Sequence, residues 1–194
     1  MIPVREQPEP AGFQETIRQA QAELLKALAV DPMKAKLNAK IWQAWLPEMH
    51  RAYGKVCAYL CVYVPDGDWT IDHFKPKSKY KHLAYSWQNF RLASRTMNTN
   101  KGNSEDVLDP FMVQDGWFQL EFSSLEVLPG PTLPAELHAA AKKSIEEILH
   151  LNDPVPKARR AADYDEYIGE HVDQDFLRRR SPFVYRELLR QGLL

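Results

Sequence analysis

The chain has 194 residues, enough for one compact domain with a real core. Its 44% hydrophobic and 26% charged residues are ordinary for a globular protein, and 25 Lys+Arg against 26 Asp+Glu give a net charge of −1. That balance excludes a chain whose whole field is basic, so any electrostatic signal must come from uneven distribution. Two cysteines, Cys57 and Cys61, exclude a disulfide scaffold and fit a reducing compartment. No apolar run long enough to span a bilayer and no secretory signal is visible, so the expected location is cytoplasmic, with no membrane partner.

Residues 1–11 are rich in proline and charge and read as an extended arm. From Phe13 to Val30, Ile17, Ala20, Leu24, Leu25 and Leu28 recur at three- and four-residue spacings, which predicts an amphipathic helix. A second helical pattern runs from Pro32 to Tyr53, with Pro47 placed to kink or divide it. VCAYLCVYV reads as a strand ending at the turn PDGD, WTIDHF as a second strand and Phe90–Ala93 as a third. Ser94 is positioned to cap a helix starting near Arg95. DGWFQLEF predicts a hairpin or edge pair. AELHAAAKKSIEEILHLN, ARRAADYDEYIGEHV and DQDFLRRR predict further helices, with a break at NDPVPK. The expected fold is α+β and one compact unit overall. Its parts are an N-terminal arm with helices over 1–55, a small β-containing centre over 56–112, and a mainly helical extension over 113–194.

The chemistry concentrates in residues 70–103, TIDHFKPKSKYKHLAYSWQNFRLASRTMNTNKGN. After Asp72 no acidic residue occurs up to Lys101, while seven Lys/Arg do: Lys75, Lys77, Lys79, Lys81, Arg91, Arg95 and Lys101. Asp72 offers a carboxylate and Asn98 an amide oxygen, hard ligands that suit one Mg²⁺ or Mn²⁺. His73 has an ordinary pKa suited to a general base at neutral pH. A cation, a base and a basic surface together point to phosphodiester hydrolysis. Adjacent strand residues point to opposite faces, so Asp72 and His73 share a site only where the strand twists or ends. Pro76 favours an ending there.

Asp72-His73, Asn89, Asn98 and Lys101, in that order and spacing, resemble the HNH or ββα-metal nuclease motif in its His–Asn–Asn form. The resemblance implies that His73 deprotonates the attacking water and that Asp72 and Asn98 hold the metal. It implies that Asn89 ties down the loop that aims His73. Lys101, with Lys75 and Lys77, would contact phosphate. More widely, CAYLC, IDHFKPKS, YSWQNFRLA, MNTNKGN, VLDPF and IEEILHLND resemble in order the HNH nuclease subunits of Septu-type and retron-associated anti-phage systems. That implies a nucleic-acid substrate, DNA before RNA such as tRNA, and a partner ATPase of the ABC/SMC type. Many such relatives carry a structural zinc on two Cys-x-x-Cys pairs. Here the first pair is Cys57-x-x-x-Cys61 and Ser94 and Met97 hold the second, so no structural zinc is expected. Packing around Val56, Leu60 and Met97 takes its place.

Plainer readings stand beside these. Trp87 and Tyr85 read as core anchors, Asn100 as a surface residue, and His82, His138, His150 and His171 as structural or exposed. The C-terminal LRRRSPFVYRELLRQGLL reads as a solvated helix with one apolar stripe. Docking of a partner through Phe183, Val184, Leu188 and Leu189 is the next choice. The competing function is a non-catalytic module that keeps the ββα shape and binds nucleic acid or a partner.

Overall fold

The first helix, α1 (Phe13–Val30), starts where Gly12 takes a left-handed turn at φ 80°, a conformation that suits glycine. Of the expected stripe Ile17 and Leu24 are buried, with Phe13, and Ala20 and Leu28 half-buried, whereas Leu25 is 47% exposed. This computed structural model describes residues 1–194. The second helical pattern is split in two. α2 (Ala39–Gln43) begins only after Asn38, whose side chain accepts from the Lys40 N–H, and α3 (Leu46–Ala52) carries Pro47 in its first turn. Residues 32–38 are outside helix, so the expected start at Pro32 is corrected to Ala39.

VCAYLCVYV is not a strand. It folds into a tight turn closed by one bridge between Val56 and Tyr63. Cys57 N–H donates to the Val62 carbonyl at 2.9 Å and Cys61 N–H to the Cys57 carbonyl at 2.8 Å. Cys61 sits at φ 58°, which no strand tolerates. β-propensity lost here to local thiol and backbone bonding: Cys57 Sγ accepts from the N–H groups of Leu60 and Ser94, both at 3.4 Å.

β1 (Trp69–His73) and β2 (Phe90–Ser94) form an antiparallel pair with Asp72 opposite Arg91 and His73 opposite Phe90. Ser94 ends β2 and starts α4 (Arg95–Lys101), its Oγ accepting from Met97 N–H at 3.3 Å. Then β3 (Phe118–Glu121) and β4 (Glu126–Pro129) make a second hairpin from DGWFQLEF and its continuation. α5 (His138–Lys143) runs into a wider turn over Ser144–Ile148. α6 (Pro154–Ile168), α7 (Gln174–Arg180) and α8 (Pro182–Arg190) complete a mixed α+β chain with two small antiparallel sheets. Pro154 opens α6 at a position where its missing N–H costs nothing.

Two apolar cores meet at the β1–β2 hairpin. Ile71, Phe90 and Leu92 face the N-terminal helices and pack with Phe13, Trp42, Met49, Tyr85 and Trp87. Ala93 and Met97 belong to a second core with the Cys57–Val64 turn, the second hairpin and the C-terminal helices. Phe183, Val184 and Leu188 of α8 are buried in that second core, so they are not available to dock a partner; Leu189 alone of the four is exposed. No helix is long and apolar enough to cross a membrane.

Candidate active site on the first hairpin

Strand alternation assigns the two central residues to different sides. β1 ends at His73, yet its side chains keep the pleat to the last residue. Thr70 and Asp72 face α4, while Ile71 and His73 face the N-terminal helices. Asp72 and His73 are therefore neighbours in sequence that the fold does not bring to one face.

On the α4 side Asp72 is 2% exposed. Its Oδ2 accepts from the Tyr59 hydroxyl at 2.5 Å and its Oδ1 from Lys101 Nζ at 3.1 Å. Lys101 reaches this point because α4 runs alongside β1. One turn earlier, Asn98 Nδ2 meets Thr70 Oγ1 at 3.5 Å. Lys101 also donates to the His73 carbonyl at 3.0 Å and its side chain has no solvent exposure. Burial pushes the Asp72 carboxyl pKa up, and the Lys101 charge pulls it back. Tyr59 is held well above the usual phenol range by burial and by the Asp72 charge, so it remains a donor.

On the other side the His73 ring lies edge-on to Trp42 and Phe90, with centroids at 5.0 and 5.2 Å. Its Nε2 is 2.9 Å from the Ala84 carbonyl. A carbonyl can only accept, so Nε2 carries the proton and Nδ1 the lone pair. Burial lowers the His73 pKa to about 4, with Lys77 and Lys101 adding to the effect, and the ring is neutral at pH 7. Asn89 fixes the loop between them. Its Oδ1 accepts from Lys75 N–H at 2.8 Å, and its Nδ2 donates to the carbonyls of Lys75 at 3.0 Å and Leu83 at 3.3 Å. The loop that supplies the Ala84 carbonyl is thus tied at both ends to one buried amide.

The lysine run is only partly open. Lys79 bonds Glu105 at 2.8 Å and Lys75 lies 3.8 Å from it. Lys81 donates to the carbonyls of Pro32 and Ala35. Lys77 is exposed, with its ammonium 5.9 Å from the Trp42 ring, and makes no ion pair. Lys101, expected at phosphate, is instead buried against Asp72, because its four-carbon stem points back along α4 into the hairpin.

The single Mg²⁺ or Mn²⁺ expected at Asp72 and Asn98 does not fit this arrangement. Both carboxylate oxygens already have donors, and an ammonium stands where the ion would sit. Removing one partner of a buried ion pair costs about 3–5 kcal/mol. An ion of roughly millimolar affinity at ~1 mM returns only about 0.4 kcal/mol. Lys101 wins that competition. Elsewhere no three His, Cys, Asp or Glu side chains converge at metal-binding range.

The thiols of Cys57 and Cys61 are buried, and burial raises both pKa values, so they stay protonated. Leu60 and Met97 are buried beside them and Val56 is half-buried. Sequence reasoning did not single out Tyr59, Trp42 or Glu105. Tyr59 sat in a segment read as a strand, and Trp42 and Glu105 lie outside the acid-free stretch. Only long-range packing brings them in. Asn100, expected at the surface, donates to the Leu149 carbonyl at 2.9 Å and ties α4 to the wide turn after α5. Trp87 and Tyr85 are buried anchors. No protein-family model matches the chain, and no curated protein matches it.

Proposed function

We propose that the chain hydrolyses phosphodiester bonds of nucleic acid, DNA in preference to RNA, using the β1–β2–α4 unit as an HNH-type centre. The observation that carries this reading is a neutral, tautomer-fixed His73 at the end of β1, held by the Ala84 carbonyl of a loop that Asn89 clamps. His73 Nδ1 takes a proton from water as the water oxygen bonds to phosphorus. The bond to the 3′ oxygen breaks, and that oxygen is protonated from solvent. Lys77, exposed beside Trp42 on the His73 side, contacts the phosphate, and Lys75, 3.8 Å from Glu105, is the second candidate contact. A positioned general base contributes roughly 10²–10⁴-fold, and the pKa of about 4, below the ordinary value expected from the sequence, puts His73 at the low end of that range. Because Lys101 takes the cation place at Asp72, no step is assigned to Mg²⁺ or Mn²⁺, and the steps above concern the chain's own residues only. An ABC/SMC-type ATPase partner, a role in anti-phage defence and a cytoplasmic location belong to the same reading.

The test is cleavage of plasmid DNA and of total tRNA with Mg²⁺ or Mn²⁺, with and without such an ATPase, for wild type and His73→Ala. We expect plasmid cleavage that His73→Ala lowers at least about 100-fold. Cleavage unaffected by His73→Ala, or none on either substrate with the partner present, rejects the reading. A non-catalytic binding module is the second reading, favoured by one observation: Asp72 and His73 are both covered. It predicts that His73→Ala leaves nucleic-acid binding and biological activity intact.

A further inference from the structure

We propose that Lys101 is the resting occupant of the cation place beside Asp72, so that the free chain keeps divalent ions from this carboxylate until the ammonium is withdrawn. The consequence for activity rests on the nuclease reading above; the occupancy rests on the geometry alone.

Three observations carry it. First, the ammonium has two oxygen acceptors, Asp72 Oδ1 at 3.1 Å and the His73 carbonyl at 3.0 Å, and lies 5.8 Å from the Phe74 ring centre. A carboxylate and a main-chain carbonyl are the donors a hard cation takes. Second, the pair is exclusive. Lys101 is the one ion-pair partner of Asp72, and the nearby Arg91 is committed to Asp109 by bonds of 2.9 and 2.7 Å. No second cation stands ready to replace Lys101. Third, the enclosure is complete. The Lys101 side chain has no exposure, Tyr59 closes the far side of the carboxylate, and Gly102 ends α4 directly after the lysine. A lysine so placed is poorly suited to greet a phosphate from solvent and well suited to neutralise a buried acid.

The chain therefore carries its own cation. Asn98 does not share the place, because its amide lies one helical turn back, at Thr70. Withdrawal of Lys101 leaves Asp72 Oδ1 and the His73 carbonyl as an open pair of oxygen ligands.

The experiment is a Mn²⁺ titration of the full chain, followed by electron paramagnetic resonance at pH 7.5, for wild type, Asp72→Asn, Lys101→Met and Lys101→Met/Asp72→Asn. We expect wild type and Asp72→Asn to bind alike up to about 1 mM Mn²⁺. Lys101→Met gains one ion, bound at least about tenfold more tightly, and the double variant loses it. Wild type taking up one Mn²⁺ that Asp72→Asn abolishes overturns the proposal. So does a folded Lys101→Met that binds no more than wild type. Amine acylation of wild type, read by mass spectrometry, decides independently of any variant's folding. Lys101 stays protected with and without Mn²⁺ while Lys77 reacts; acylation of Lys101 at the rate of Lys77 sinks the idea. Failure of nucleic-acid cleavage alters none of these binding results, so the two readings fail separately.

Discussion

His73 links the site to stability through a single proton. Burial holds its folded pKa near 4, below the ordinary value of 6.5. Between those values the unfolded chain binds a proton that the folded chain refuses. The contribution of His73 is thus fully present above about pH 6.5 and is lost as pH falls toward 4, to about 3 kcal/mol in all. Urea unfolding of wild type and His73→Gln at pH 7.0, 5.5 and 4.5 isolates this effect from that of Asp72, whose raised pKa acts in the opposite sense. The wild-type loss on acidification should exceed that of His73→Gln. Equal losses would show that the ring takes up its proton in the folded state. His73 stands out as a candidate in the sequence, because Asp-His heads an acid-free run that carries seven Lys/Arg. Its partner does not. Trp42 lies 31 positions away in a five-residue helix, and no periodicity links a helix to the ring that will cover a given imidazole.

The β1–β2–α4 unit shows how far local signals reach. Ser94 before a helical run marked the start of α4, and the residue does cap it. Because Ser94 is fully buried, no water replaces its hydroxyl in Ser94→Ala, and the substitution should lower unfolding free energy by about 1 kcal/mol. A denaturation midpoint unchanged from wild type would show that the cap contributes nothing. β1, β2 and the second hairpin were also readable, since alternation and turn residues agree there. The Cys57–Val64 segment was misread because aromatic and β-branched residues favour a pleated surface only when a partner strand is available. Here the segment touches β2 by a single backbone bond, from Ala58 N–H to the Leu92 carbonyl at 2.8 Å, and the Cys57 thiol, accepting two N–H groups, stabilises a turn instead. That turn sets Tyr59 beneath Asp72, so the misread element also hid a contact of the site.

Across the whole molecule the first hairpin is a wall shared by two cores. Its Ile71, Phe90 and Leu92 face one and its Ala93 the other, so neither core can come apart without exposing β1 and β2. Arg91 adds a tie between the hairpin and the following segment, donating to Asp109 while its guanidinium lies 3.5 Å from the Phe111 ring centre. We expect one cooperative unfolding transition. Tryptophan fluorescence, which reports Trp42, Trp45, Trp69 and Trp87 near the first core and Trp117 in the second, should coincide with far-ultraviolet circular dichroism in urea. Separated midpoints would divide the chain into independent units.

The sequence by itself determined the local elements and the inventory of chemistry: an amphipathic first helix, a two-stranded centre with a capped helix, and the candidate residues Asp72, His73, Asn89, Asn98 and Lys101. Those properties depend on neighbours within a few positions, where period, capping and turn propensity act. Only the tertiary structure decided who meets whom. The pleat sent Asp72 and His73 to opposite faces, and the path of α4 along β1 brought Lys101, and not Asn98, to the carboxylate. Such pairings depend on how elements cross in space, over separations such as the 28 residues between Lys101 and His73, and no short-range pattern in the chain encodes them.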